Sequence, residues 1–161
     1  MMKPVVYLLC GLGGSGKSTY AQKLTEKGLQ KFSLDEYVYS TYGREITTLP
    51  ESEYLKIYRT AKIELDNKLV SAIKHKQSVV VDYGFWRKSS REFYKRLVEE
   101  NGGEWKLMYF KATPEVLMGR LRERNKRIDA NAFPVTEEKL REYIARFEEP
   151  SDEGEEVIVQ S

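Results

Sequence analysis

The sequence has one cysteine, one histidine, no long apolar run and almost no net charge. Cys10 has no second cysteine to pair with, which is compatible with a reducing compartment and decides little more; the expected location is the cytoplasm, and as a small residue at a strand end Cys10 reads as core. No apolar stretch approaches the roughly 20 residues that span a bilayer, so no membrane partner is expected. With 27 basic against 25 acidic residues, net +2, there is no general electrostatic case for nucleic acid, and any basic site must be local. His75 sits in a lysine-rich helix end and reads as an exposed or capping residue. No repeat or linker-like tract interrupts the chain. Met1 to Cys10 leads directly into a glycine motif, as a first strand does, and is not expected to be a signal peptide.

What is present describes one domain over residues 1–161. Chains of this length bury about 70% of the surface they expose unfolded, and 40% apolar with 32% charged residues suits a packed core. Val5 to Cys10 is a continuous apolar run closed by glycine, which predicts a central strand covered on both faces. A helix is expected from about Lys17 to Lys27, ended by Gly28. Phe32 and Leu34 predict a short second strand stopping at Asp35, and 36–47 reads as an irregular excursion. Thr48-Leu-Pro-Glu51 has the form of a capping box, with Leu55, Tyr58, Leu65, Leu69 and Ile73 on one face of the helix behind it. Ser78 to Asp82 is the third strand. Ser89 with Glu92 repeats the capping pattern, Phe93 and Leu97 supply an apolar face, and Gly102-Gly103 ends that helix. Trp105 to Lys111 is the fourth strand. Thr113-Pro114-Glu115 and Thr136-Glu137-Glu138 open two more helices, 148–156 reads as a solvated loop, and Val157 to Val159 is a fifth strand. Strands alternating with helices imply right-handed crossovers and a parallel sheet, hence a three-layer α/β/α domain.

The chemistry lies in Gly11-x-x-x-x-Gly16-Lys17-Ser18. A polyphosphate requires many donors converging in a small space; glycines let successive amides turn inward, and the following helix adds its free N-terminal amides and positive dipole end. Lys17 can then reach the β- and γ-phosphates of ATP, and the Ser18 hydroxyl can ligate Mg²⁺. Gly11, Gly13, Gly14, Ser15, Gly16, Lys17, Ser18 and Thr19 are the expected nucleotide contacts. Two acids stand at strand ends, where α/β sheets place their chemistry. Asp82 can hold the shell of Mg²⁺, the Walker B role, and Asp35 can orient an acceptor hydroxyl and take its proton; either acid alone is also an ordinary cap. Arg120, Arg124 and Arg127 share one helix side, where guanidinium groups can bind phosphate oxygens, although such a stripe is also an ordinary solvated face. Arg122 points elsewhere. Tyr37, Tyr39, Phe85 and Trp86 follow the acids and are candidate substrate stackers or loop anchors.

These residues resemble the nucleoside-monophosphate-kinase-like branch of P-loop proteins, in particular the small AAA_33-type kinases related to zeta toxins and polynucleotide kinase. The resemblance spans nearly the whole chain. It rests on Gly11 to Ser18, Phe-Ser-Leu-Asp35, Val-Val-Val-Asp82-Tyr-Gly-Phe-Trp86, Leu117-x-x-Arg120-x-x-x-Arg124-Asn125, Phe133-x-Val-Thr136-x-Glu138 and Phe147-Glu-x-Pro150. It implies strand order 2-3-1-4-5 with a mobile arginine lid over about 117–135, Arg120 lying on the adenine and Arg124 contacting phosphate. One departure concerns the acceptor: polynucleotide kinases of this type carry an arginine three residues after the catalytic aspartate, where this chain has Val38. Arg44 and Arg87 remain to take its place.

The expected activity is therefore an ATP- and Mg²⁺-dependent transfer to a hydroxyl of a small molecule, with Lys17, Asp35 and Arg124 as catalytic residues, Ser18 and Asp82 on the metal, and Asp35, Tyr37, Arg44, Phe85, Trp86 and Arg87 on the acceptor side. The alternatives are a regulatory ATPase without an acceptor and a kinase of nucleic-acid 5′-hydroxyls. A GTPase fits poorly: Asn125-Lys-Arg-Ile-Asp129 is one residue too long for the guanine motif, and Asp82-Tyr-Gly84 lacks the switch spacing.

Overall fold

The computed structural model describes residues 2–43, 48–126 and 135–160. Five strands, β1 (Val5–Cys10), β2 (Gln30–Ser33), β3 (Val79–Gly84), β4 (Glu104–Lys111) and β5 (Glu155–Val159), alternate with α1 (Lys17–Glu26), α2 (Leu34–Tyr42), α3 (Glu51–Lys74), α4 (Lys88–Glu100), α5 (Pro114–Asn125) and α6 (Glu137–Arg146). The sheet order is β2-β3-β1-β4-β5, with every pairing parallel. This is the expected five-stranded parallel sheet of order 2-3-1-4-5.

The unbroken apolar run of β1 follows from burial on both faces. Val6, Leu8 and Cys10 join a core with Leu65, Leu69 and Ile73 of α3 and Tyr94 and Val98 of α4, while Leu9 joins the opposite core with Ala21 and Leu24 of α1 and Val80 of β3. Two smaller clusters complete the interior. Leu12, Leu117, Leu121 and Leu140 tie the loop after β1 to α5 and α6, and Val38 with Ala61 joins α2 to α3.

Four expectations change. The stretch after Ser33 is helical from Leu34, because the Ser33 side chain accepts from the Glu36 amide and Asp35 and Glu36 lie in the first turn, near the positive end of the helix dipole. Asp35 therefore stands in the first turn of a helix, two residues beyond the strand. Helix α3 has Pro50 at its N-cap, with no side-chain capping hydrogen bond there among the described residues; the Pro50 carbonyl accepts from Glu53 and Tyr54, and Leu55 is 46% exposed. Helix α4 begins at Lys88, before the Ser89 pattern, and buries Arg91, Tyr94 and Val98 while Phe93 is 50% exposed. Finally, 148–156 is anchored, since Glu153 forks onto the buried Arg91 at 2.8 and 3.0 Å. The starts of α5 and α6 are as expected, with the Thr113 and Thr136 side chains accepting from Val116 and Lys139.

Candidate active site

The glycine loop leaves β1 at Gly11, whose amide donates to the Gly84 carbonyl at 3.0 Å, and Ser15 closes a turn onto the Leu12 carbonyl at 3.1 Å. Gly14 and Gly16 hold φ of 85° and 96°, the left-handed region that favours glycine. Gly16 is the N-cap of α1 and no side chain caps that helix among the described residues, so its first-turn amides are not satisfied by a side chain. Ser15 is 1% exposed, and its Oγ has no hydrogen-bond partner among the described residues. A buried hydroxyl left unpaired costs about 1–3 kcal/mol. An orphaned hydroxyl inside a glycine loop at an uncapped helix start fits a polyphosphate.

Asp82 is placed by strand geometry. Val80 packs against α1, so Asp82, two residues on, projects from the same face toward the start of α1, where Lys17 Nζ stands 3.7 Å from its Oδ1. Between the pairs Leu8 to Val81 and Cys10 to Gly84 the β3 strand carries one extra residue, a bulge of the kind that re-aims side chains beside sites. Burial pushes the Asp82 carboxyl above the usual carboxylate range, with Lys17 opposing and Asp35 reinforcing. Ser18 lies exposed in the first turn of α1. A hydroxyl and a carboxylate are hard oxygen donors that suit Mg²⁺, which commonly takes few protein ligands alongside phosphate oxygens and water; the described residues hold no three-residue metal cluster.

Strand pairing brings the third group in. Ser33 lies opposite Asp82, so the first turn of α2 starts beside it. That turn carries two acids in different surroundings. Glu36 is neutralised by Lys31 at 2.7 Å, whereas Asp35 accepts from the Tyr58 hydroxyl of α3 at 3.0 Å. Asp35 also acts more strongly than Glu36 on the Asp82 carboxyl.

From the other side, Arg120 Nη1 donates to the Gly14 carbonyl at 2.7 Å and Nη2 to Gln160 Oε1 at 3.3 Å. A Cβ on Gly16 would lie 2.6 Å from that same Gln160 oxygen. Arg124 follows one turn later, half-buried, while Arg122 pairs with Glu137 at 2.7 Å. Arg44, Arg127 and Phe133 lie outside the described residues.

The aromatic candidates divide. Phe85 is 2% exposed, with its ring 5.3 Å from that of Tyr94 and 5.7 Å from that of Tyr83; it is a core residue, a correction to its expected place on the acceptor side. Trp86 is half-buried beside the Tyr143 ring at 5.2 Å, and its carbonyl accepts from Glu148. The Tyr37 hydroxyl donates to Glu64 of α3, with Lys68 over the ring, and Tyr39 is half-buried. Arg87 is exposed at the N-cap of α4. Sequence reasoning missed Gln160 and the polar role of Tyr58. Gln160 reaches the loop because its amide donates to the Lys111 carbonyl, extending the β4–β5 ladder, and no local pattern announces that.

The family model of AAA_33, an AAA domain, matches residues 6–150. No curated protein matches the chain. Among solved structures, a protein of Chloroflexus aurantiacus J-10-fl thought to be a kinase is 19% identical, with a TM-score of 0.74 over 99% of this chain and 86% of that one. A gluconokinase from Sinorhizobium meliloti 1021 is 15% identical, with a TM-score of 0.66 over 99% and 84%. A chain of the Pnkp1/Rnl/Hen1 RNA repair complex is 16% identical, with a TM-score of 0.71 over 91% of this chain and 44% of that one. These likenesses show the P-loop kinase fold.

Proposed function

The chain belongs to the AAA_33 family, and from that premise we propose that it is a kinase transferring the γ-phosphate of ATP, with Mg²⁺, to a hydroxyl of a small molecule in the cytoplasm. The observation that carries this reading is the convergence of the glycine loop, the Lys17–Asp82 pair and Asp35 at the carboxyl ends of β1, β3 and β2. The loop amides, the Ser15 hydroxyl and Lys17 bind the phosphates. The acceptor oxygen attacks the γ-phosphorus, forming one P–O bond as the bond to the ADP oxygen breaks, and its proton passes to Asp35. Ser18 and Asp82 would hold Mg²⁺, which would supply neutralisation of phosphate charge. Arg124 stabilises charge on the transferring group and Arg120 lies against the adenine. Tyr37, Trp86, Arg87 and Arg44 are the remaining acceptor-side candidates.

Val38 supports a small acceptor over a nucleic-acid end. It is 1% exposed in the α2–α3 core, so no side chain there meets an acceptor phosphate. No helix among the described residues is long and apolar enough to cross a membrane.

The test is a panel of hydroxyl compounds, oligonucleotides included, incubated with γ-labelled ATP and Mg²⁺ and scored by product mass. Asp35→Ala is expected to lower transfer by at least about 100-fold with ATP binding within about twofold. Transfer at the wild-type rate would overturn the base assignment, and no nucleotide uptake by folded protein would overturn the reading.

A further inference from the structure

We propose that Tyr58 is a positioning residue that aims the Asp35 carboxylate, an inference that rests on the reading of Asp35 as the base. Asp35 sits exposed on the first turn of α2, where a short carboxylate side chain has freedom to swing. The Tyr58 hydroxyl donates to its Oδ1 at 3.0 Å across 23 residues of chain, fixing one oxygen and leaving the other for an incoming hydroxyl. Tyr58 is itself held. Its ring lies 4.6 Å from that of Tyr54, and both belong to the cluster built on Val38 and Ala61 that joins α2 to α3. Burial, with Asp35 reinforcing it, keeps the phenol protonated well above its ordinary range, so it acts as a donor at every physiological pH. The other acid of the same turn, Glu36, is occupied by Lys31 at 2.7 Å. The two acids of one helix turn are thus assigned by their partners: Glu36 to a structural cation, Asp35 to a neutral donor that leaves its charge available for proton transfer.

The test uses water as the acceptor, through the slow release of phosphate from ATP and Mg²⁺ by the full chain. Tyr58→Phe keeps the ring and its packing. It is expected to lower turnover about tenfold, a modest share of the loss that misplacing a catalytic group can cause, with KM for ATP within about twofold. Asp35→Ala is expected to be slower still, and the double variant no slower than Asp35→Ala alone, since the phenol acts only through the carboxylate. Tyr58→Phe turning over within about twofold of wild type, or losing as much again in the Asp35→Ala background, would overturn the assignment of Tyr58. Wild-type turnover by Asp35→Ala, or no phosphate release by the wild type, would overturn the base reading itself.

Discussion

Asp82 shows how one residue can favour ligand binding at the expense of the empty fold. Its carboxyl titrates above the ordinary range because burial penalises the charge more than Lys17, 3.7 Å away, rewards it. A group whose folded pKa is raised contributes stability below its unfolded pKa and loses it as pH rises through the folded value. Ionising Asp82 in the folded protein therefore costs stability that the protonated form keeps. Asp82→Asn is expected to melt above wild type at pH 7 without nucleotide, with the gap closing as the pH falls through the range where wild-type Asp82 takes up its proton. With ATP and Mg²⁺ the order should reverse, because an amide is a poor metal ligand. Differential scanning fluorimetry from pH 4 to 8 checks both signs, and a wild type that melts higher at neutral pH without nucleotide would contradict the burial argument. Asp82 was legible in the sequence as an acid ending a Val-Val-Val run. The bulge beside it was not, because it exists only in the register between β1 and β3.

Among the elements, α4 departs furthest from its sequence pattern, and the cause is a buried charge. An apolar-face reading selects Phe93 and Leu97, yet the helix turns Arg91 inward with Tyr94 and Val98. Each nitrogen of the Arg91 guanidinium finds a partner there: Glu153 accepts two bonds, and the Phe85 carbonyl accepts a third at 2.8 Å. That turn also presents the Gly84 carbonyl to the amide of Gly11, so α4 and the 148–156 loop together brace the glycine loop. Hydrophobic periodicity cannot find such a helix, since a charged residue counts as surface until its partner is known, and the partner lies 62 residues away. The helices with a local N-terminal signal, α5 and α6, were legible for the converse reason. Glu153→Gln should cost about 3 kcal/mol, as expected when a buried guanidinium loses its counter-charge, or roughly 6–12 °C of Tm at this chain length. Arg91→Met with Glu153→Leu should recover much of it. Burial opposes the Glu153 charge, but Arg91's hydrogen bonds and charge outweigh it and hold the carboxyl below its ordinary range. That stabilisation is present above the ordinary glutamate pKa and lost as pH falls through the lowered one. Denaturant titrations of wild type and Glu153→Gln should therefore converge in acid; a difference independent of pH would mean that packing, not charge, is at stake.

At the scale of the whole molecule, the sheet and the phosphate loop were legible because each rests on local grammar: apolar runs of strand length, glycines at fixed offsets, and a lysine at the start of a helix. The groups that close the site come from far along the chain. Gln160 meets Gly16 and Arg120, and Tyr58 meets Asp35, only after β5 pairs with β4 and α3 packs on α2. These long-range arrivals close the loop around Ser15 Oγ, which is buried and unpaired among the described residues. Nucleotide should then act as a missing part of the folded structure and stabilise it by mass action. With ATP at about 100 times its Kd, one site adds roughly 2.7 kcal/mol, or about 5–11 °C of Tm for a chain of this size, rising with the logarithm of concentration. Lys17→Ala removes the cation that faces the phosphates and should abolish most of the shift at the same concentration, while AMP, lacking the β- and γ-phosphates, should give little in either protein. Thermal melts across an ATP series decide it. An AMP shift equal to that of ATP, or a Lys17→Ala shift equal to wild type, would move the bound nucleotide away from the glycine loop.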